Sequence, residues 1–201
     1  MKIEILLFDG FDDLDAFGPF EVLTTAGLQA EFVTVEPREL VVSCGGARIV
    51  PHGVLGDPDL VLVPGGGWND RSGPGAYAEA RRGIITKALA DRHAAGRRIG
   101  SVCTGAMLLA EAGILRDRPA ITHHTAIEAL KAFGADVRAG ERVVDDGDIV
   151  TAAGVTSGID LALYLVEREL GSEAAGAGAR EIEWDQMSGA SASGRSIGTN
   201  E

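Results

Sequence analysis

Apolar and polar positions along this chain follow two different periods. Short, mostly apolar runs occur at Ile3–Phe8, Leu60–Val63, Arg98–Val102 and Ile149–Ala153. Runs of this length and character predict strands buried on both faces, as in a parallel sheet. Between them the apolar residues recur every three to four positions. Residues 13–26 place Ala16, Phe20 and Leu23 on one face, and residues 75–95 do so with Ile84, Ile85, Ala88 and Leu89. Residues 156–170 repeat the pattern with Ile159, Ala162, Leu163, Val166 and Leu170, which predicts a third amphipathic helix. Ser157, with Asp160 three positions on, predicts a capping box for that helix. Residues 104–113 are apolar nearly all round and read as a core helix that Gly113 stops. Asp145-Asp146-Gly147-Asp148 predicts a hairpin turn between two short strands. This order of strands and helices predicts an α/β fold, a doubly wound and mostly parallel sheet with right-handed crossovers. No repeat or linker interrupts it, so a single domain is expected over residues 1–187. A Gly/Ser-rich tail follows at 188–201.

Composition narrows the partners. The 201 residues are 45% hydrophobic and 24% charged, enough for one α/β domain with a true core. Thirty acidic against 18 basic side chains give a formal charge of −12. Nucleic acid and anionic membranes both demand a cationic face, so neither is an expected partner. Met1–Phe8 resembles a signal peptide only superficially: it is short, carries Glu4, and meets Asp9-Gly10 rather than a cleavage site. No stretch approaches the roughly 18 apolar residues of a membrane span. The two cysteines, Cys44 and Cys103, form neither a disulfide framework nor a zinc pattern. A cytoplasmic protein is expected.

Three segments carry candidate chemistry. Cys103 follows a predicted strand and precedes Thr104-Gly105, where the core helix starts. A side chain on such an abrupt turn is presented like the nucleophile of a hydrolase elbow, and the helix N-terminus favours thiolate over thiol. An inert, buried cysteine is the competing explanation. Val63-Pro64-Gly65-Gly66-Gly67 ends a central strand, where backbone N–H groups of Gly66 and Gly67 can face a ligand or a developing oxyanion. Taken alone, the glycines are better explained as a flexible strand-end turn. Asp15 stands among apolar residues near the start of the first helix. Its carboxyl either satisfies helix N–H donors or faces the thiol, with burial raising its pKa for proton transfer. Asp12 and Asp13 read as solvated neighbours. His123-His124 lack a carboxylate at ligand spacing, so no metal is expected there, and one of the two is expected to line the pocket. His52 and His93 read as surface or packing residues.

Together these motifs resemble the ThiJ/PfpI superfamily of class I glutamine amidotransferase-like proteins. The resemblance spans about residues 2–170. It rests on Leu14-Asp15-Ala16-Phe17-Gly18-Pro19, the Val63–Gly67 run, Ser101-Val102-Cys103-Thr104-Gly105, Thr122-His123, Ala110–Leu115 and Ala153–Asp160. It implies a flavodoxin-like fold, helices on both sides of the sheet, a cysteine nucleophile elbow and a homodimer. Within the superfamily the Cys-Thr-Gly elbow and the Leu-Asp-x-x-Gly-Pro segment look most like isonitrile (isocyanide) hydratases. Relatives among AraC-type transcription factors share several motifs, but the residues after Leu170 are too few and too acidic for a DNA-binding module. His124 stands where many relatives have Trp, a change in the pocket wall.

The resemblance implies a lyase that hydrates an isocyanide to an N-substituted formamide, without cofactor or metal. Cys103 would be the nucleophile and Asp15 the general acid/base. Backbone N–H groups of Gly66 and Thr104, with Gly67 beside them, would hold polar atoms of a small-molecule substrate. The alternatives are a ligand or thiol redox sensor, or a glyoxalase- or amidase-like cysteine enzyme.

Overall fold

The computed structural model describes residues 1–184; the tail expected at 188–201 lies outside them. A seven-stranded sheet forms the centre. Its strands are β1 (Lys2–Leu6), β2 (Gln29–Thr34), β3 (Gly53–Val54), β4 (Leu60–Val63), β5 (Arg98–Val102), β6 (Val143–Asp145) and β7 (Ile149–Ala152). They lie in the order β6-β7-β5-β4-β1-β2-β3. All neighbours are parallel except β6 and β7, which form the expected hairpin around Asp146-Gly147-Asp148. β4 is buried at every position, which explains its unbroken Leu-Val-Leu-Val.

The winding places the site. The chain starts in the middle of the sheet at β1, fills one side with β2 and β3, and then crosses to β4, β5 and β7. Strand order therefore reverses between β1 and β4. In open α/β sheets, ligands bind in the crevice beyond the carboxyl ends of the strands at such a reversal. Asp12–Asp15 follow β1, the glycine run follows β4 and Cys103 follows β5.

Helices α1 (Asp13–Thr25), α6 (Ser157–Leu170) and α7 (Ser172–Glu181) pack against one another in one layer. The other layer holds α2 (Ala76–Arg82), α3 (Ile84–Ala94), α4 (Gly105–Glu111) and α5 (Ile127–Ala132). The crossing of α1 and α6 is close because small residues line it. A methyl group on Gly18 would stand 3.2 Å from Ile159 Cγ1, and one on Gly158 would stand 3.1 Å from Pro19 Cγ. This contact sets the first turn of α1, and so Asp15, over the strand ends. No helix among the described residues is long and apolar enough to cross a membrane.

Several elements depart from their sequence patterns. The single helix expected at 75–95 is two helices, because Gly83 adopts φ +78° and turns the chain between them. The Ser157–Asp160 capping box does not form: Ser157 Oγ is buried without a partner, while Asp160 pairs with Arg142. The buried face of α6 is Leu161, Ala162, Leu165 and Val166, not the face centred on Ile159 and Leu163; Leu170 is exposed. α7 explains part of the rotation, since its Gly178 approaches Leu163 on the outer side. β2 carried no continuous apolar run, as only Phe32–Thr34 are buried within it. β1 ends at Leu6, two residues short of the apolar run.

Candidate active site

Cys103 occupies a strained elbow. Its φ is +57°, a left-handed conformation that costs a non-glycine residue about 1–2 kcal/mol. The turn is held from both sides. The Cys103 N–H donates to the carbonyls of Ala152 and Ala153, and Thr122 Oγ1 donates to the Cys103 carbonyl at 2.9 Å. Gly105 is required just after it, because a Cβ there would lie 2.1 Å from the Val63 carbonyl oxygen. The backbone amides of Val155 and Thr104 hydrogen-bond to the sulfur. Val155 itself has φ +44°, a second non-glycine residue in this uncommon conformation at the same site.

The thiol is nearly enclosed, at 6% exposure. Burial pushes its pKa up to about 12, and the adjacent Asp15 carboxylate adds to the rise. Burial and the neighbouring acid thus act against the thiolate that the helix N-terminus favours. Two amides and the start of a seven-residue helix do not offset the loss of solvent and the neighbouring acid.

Asp15 is fully buried. Burial, and then the charge of Asp12, push its pKa from 3.8 up to about 8; the Gly65 amide and, less strongly, the adjoining Cys103 thiol oppose the rise. Oδ2 accepts the Gly65 N–H at 2.9 Å, while Oδ1 has no partner. The helix cap is Asp12, whose Oδ1 accepts the Leu14 N–H at 3.1 Å, so Asp15 is spared that task. Asp13 is not a free solvated neighbour either: it binds Ser43 Oγ at 2.5 Å and the Gly45 N–H at 3.0 Å.

The glycine run packs backbone against backbone. A Cβ on Gly66 would meet the Gly10 carbonyl oxygen at 2.4 Å, and one on Gly67 would meet that of Pro74 at 2.5 Å. The Gly66 N–H donates to Thr104 Oγ1 at 2.9 Å, so this amide is already engaged. The donors at the sulfur are instead Thr104 and Val155. Sequence reasoning missed Val155 because nothing local marks its amide; only the juxtaposition of the β7 end with the elbow brings it there.

Beside the elbow lies an open cavity of about 290 Å³. Thr122, His123, His124, Arg142, Gly154 and Val155 are among its lining residues, and the buried, unpartnered Ser157 Oγ belongs to the same wall. His123 and His124 lie with ring centroids 4.1 Å apart, so both expected candidates reach the pocket. Burial and the proximity of His124 lower the pKa of His123, which favours its neutral form. Elsewhere, His52 packs on Phe20 and Phe32, and His93 joins the Arg118–Asp148 ion pair. Cys44 is exposed and Cys103 buried; both are free thiols.

Comparison with known proteins gives a consistent picture. The model of the DJ-1/PfpI family matches residues 1–168. An isonitrile hydratase of Pseudomonas putida is 33% identical over 180 residues, covering 87% of this chain and 75% of that one. A Parkinson disease protein 7 homolog of Danio rerio is 25% identical over 177 residues, or 85% of this chain and 90% of its own. Among solved structures, a ThiJ/PfpI family protein of Pseudomonas syringae superposes with a TM-score of 0.81 at 30% identity. That match covers 96% of this chain and 78% of its counterpart.

Proposed function

The chain belongs to the DJ-1/PfpI family, and from that premise we propose that it hydrates an isonitrile to an N-substituted formamide. One observation carries the reading. A buried thiol and a buried carboxyl, both with raised pKa values, adjoin each other, and one carboxyl oxygen is unpartnered. The terminal carbon of an isonitrile must receive a nucleophile and a proton at the same atom. A neutral thiol–carboxyl pair supplies both without separating charge in a dry site.

In the proposed sequence, Cys103 Sγ bonds to the isonitrile carbon, the S–H proton passes to Asp15, and the Asp15 proton passes to that carbon. The product is a thioimidate, Cys–S–CH=N–R. Asp15, neutral again, then passes its proton to the nitrogen while its other oxygen takes one from the water whose oxygen adds to the carbon, giving Cys–S–CH(OH)–NH–R. Collapse expels the Cys103 sulfur, which recovers its proton, and releases HC(O)–NH–R. Amides of Thr104 and Val155 would hold the sulfur as charge develops on it. The cavity of about 290 Å³ suits a compact R group. The 33% identity to the Pseudomonas putida isonitrile hydratase supports the same reading.

A reducing compartment such as the cytoplasm would keep both free thiols available. A homodimer is part of the proposal and is checked by light scattering after size exclusion. A peroxide sensor needs an accessible cysteine of low pKa. The enclosure of Cys103, whose pKa burial raises, weighs against that alternative.

The test is a panel of aliphatic and aromatic isonitriles, methylglyoxal and primary amides, with product formation followed by NMR. Wild type is expected to release formamide, and Cys103→Ala to lose at least about a thousandfold in rate. Formamide release at the wild-type rate by Cys103→Ala would overturn the mechanism. Conversion of methylglyoxal alone would overturn the substrate class.

A further inference from the structure

His123 is held in a way that fixes where its proton sits. Its Nδ1 accepts the Thr125 N–H at 3.4 Å and lies 2.8 Å from Thr125 Oγ1. A backbone N–H can only donate, so Nδ1 is an acceptor. Thr125 Oγ1 in turn accepts from Asn69 Nδ2 at 2.7 Å, which leaves the hydroxyl proton free to point at the same Nδ1. Both donors converge on one ring nitrogen. The neutral imidazole must then carry its hydrogen on Nε2.

Nε2 lies on the edge of the ring that faces Gly154, a residue of the cavity wall. A Cβ at Gly154 would come within 2.3 Å of His123 Cδ2 and 3.1 Å of Nε2, so only glycine lets the ring lie this close to the β7 end. The next residue, Val155, supplies an amide to the Cys103 sulfur. Gly154, Val155 and His123 share the wall of the cavity beside the elbow. Asn69 belongs to the loop after β4, whereas Thr125 and His123 follow the buried Ile121-Thr122 segment, so the relay ties two sides of the crevice together.

We propose that His123 donates its Nε2–H to the nitrogen of the adduct formed on Cys103, and that Thr125 and Asn69 are positioning residues that fix this tautomer. The assignment rests on the hydratase reading. Once sulfur and hydrogen have added to the isonitrile carbon, the nitrogen carries a new lone pair. A neutral N–H donor matches that atom. No net proton leaves His123, because its Nδ1 is committed as an acceptor and cannot be recharged from Thr125. His123 therefore orients and stabilises, and Asp15 moves the protons.

The experiment combines long-range ¹H–¹⁵N spectra of the full chain with isonitrile kinetics. Wild-type His123 is expected as the Nε2–H tautomer without substrate. Thr125→Val removes the nearer donor and should give mixed tautomers, with kcat down roughly fivefold to tenfold and KM within about twofold. Thr125→Ser should restore both the spectrum and kcat, and Asn69→Ala should lower kcat about twofold to threefold. Both positions are exposed, so the fold should tolerate these changes. An Nδ1–H tautomer in wild type, or an unchanged kcat in Thr125→Val, overturns the proposal. Absence of formamide from wild type overturns the hydratase reading and, with it, the contact to nitrogen. The tautomer assignment is then decided by the spectra alone.

Discussion

Replacing Asp15 by Asn should stabilise the protein, and more so as the pH rises. The folded carboxyl titrates near 8 rather than 3.8, chiefly because burial disfavours its charged form. Between those two values the folded chain holds a proton that the unfolded chain has released. Stability therefore falls as pH rises through that window, and the full cost is reached only above about 8. At about 1.4 kcal/mol per pH unit, the interval bounds the cost at roughly 6 kcal/mol. Relaxation and water entry reduce such limits, so a gain of about 2–3 kcal/mol in the Asn variant at pH 9 is reasonable. In a chain of this length that corresponds to roughly 5–10 °C in Tm. Asn keeps an oxygen to accept the Gly65 N–H, so the packing contact survives. The assay is thermal and urea unfolding of both proteins at pH 5, 7 and 9, read as the difference between them. Other carboxylates titrate in both chains and cancel. A difference that does not grow with pH would refute the reasoning, because the Asp15 carboxyl would then be solvated or compensated in the folded state.

Asp15→Asn should also lower isonitrile turnover at least about a hundredfold, measured in the same formamide assay, since Asn cannot carry a proton. Gly105→Ala should be severely destabilising, by about 3 kcal/mol or more, or fail to accumulate as soluble protein. Its Cβ would press on the Val63 carbonyl oxygen, and backbone on both sides resists moving. Iodoacetamide at pH 7.5 should label exposed Cys44 at least about tenfold faster than Cys103, as peptide mass mapping would show. Preferential labelling of Cys103 would mean that its thiol is more acidic and more open than its surroundings indicate.

Much of the fold was legible because a buried parallel strand leaves a plain trace. Leu60–Val63 is apolar at every position since neither face meets water. β2 was invisible for the converse reason: Gln29, Ala30 and Glu31 reach beyond the covered part of the sheet, and only Phe32–Thr34 are enclosed. The break at Gly83 was hidden because the apolar period continues across it from Ala80 to Ile84 and Ile85. At the site, the cysteine, its elbow and the aspartate could be found from their order along the chain. Their protonation could not, since it depends on how completely α1, α4 and the β7 end close over them. The engaged Gly66 amide was equally hidden, as it depends on a hydroxyl 38 residues away. Asp12 illustrates the ambiguity of neighbours: three acids stood within four residues, and only the folded helix shows which one caps it.

The construction of the two halves of this site bears on how its substrate range can drift. Cys103, Thr104 and Asp15 are locked by backbone approaches at Gly65, Gly66 and Gly105 that leave no room for a methyl group. The cavity opposite is walled in part by His124, Glu141 and Arg142, which lie outside the long helices and the sheet, and by Ile127 at the start of the short α5. Segments of this kind accept exchange at little cost to folding. Mutational drift is thereby channelled into the wall that meets the R group, while the reacting pair is inherited unchanged. A library confined to those four positions should yield folded proteins at high frequency and alter which substrates are turned over before it alters the chemistry.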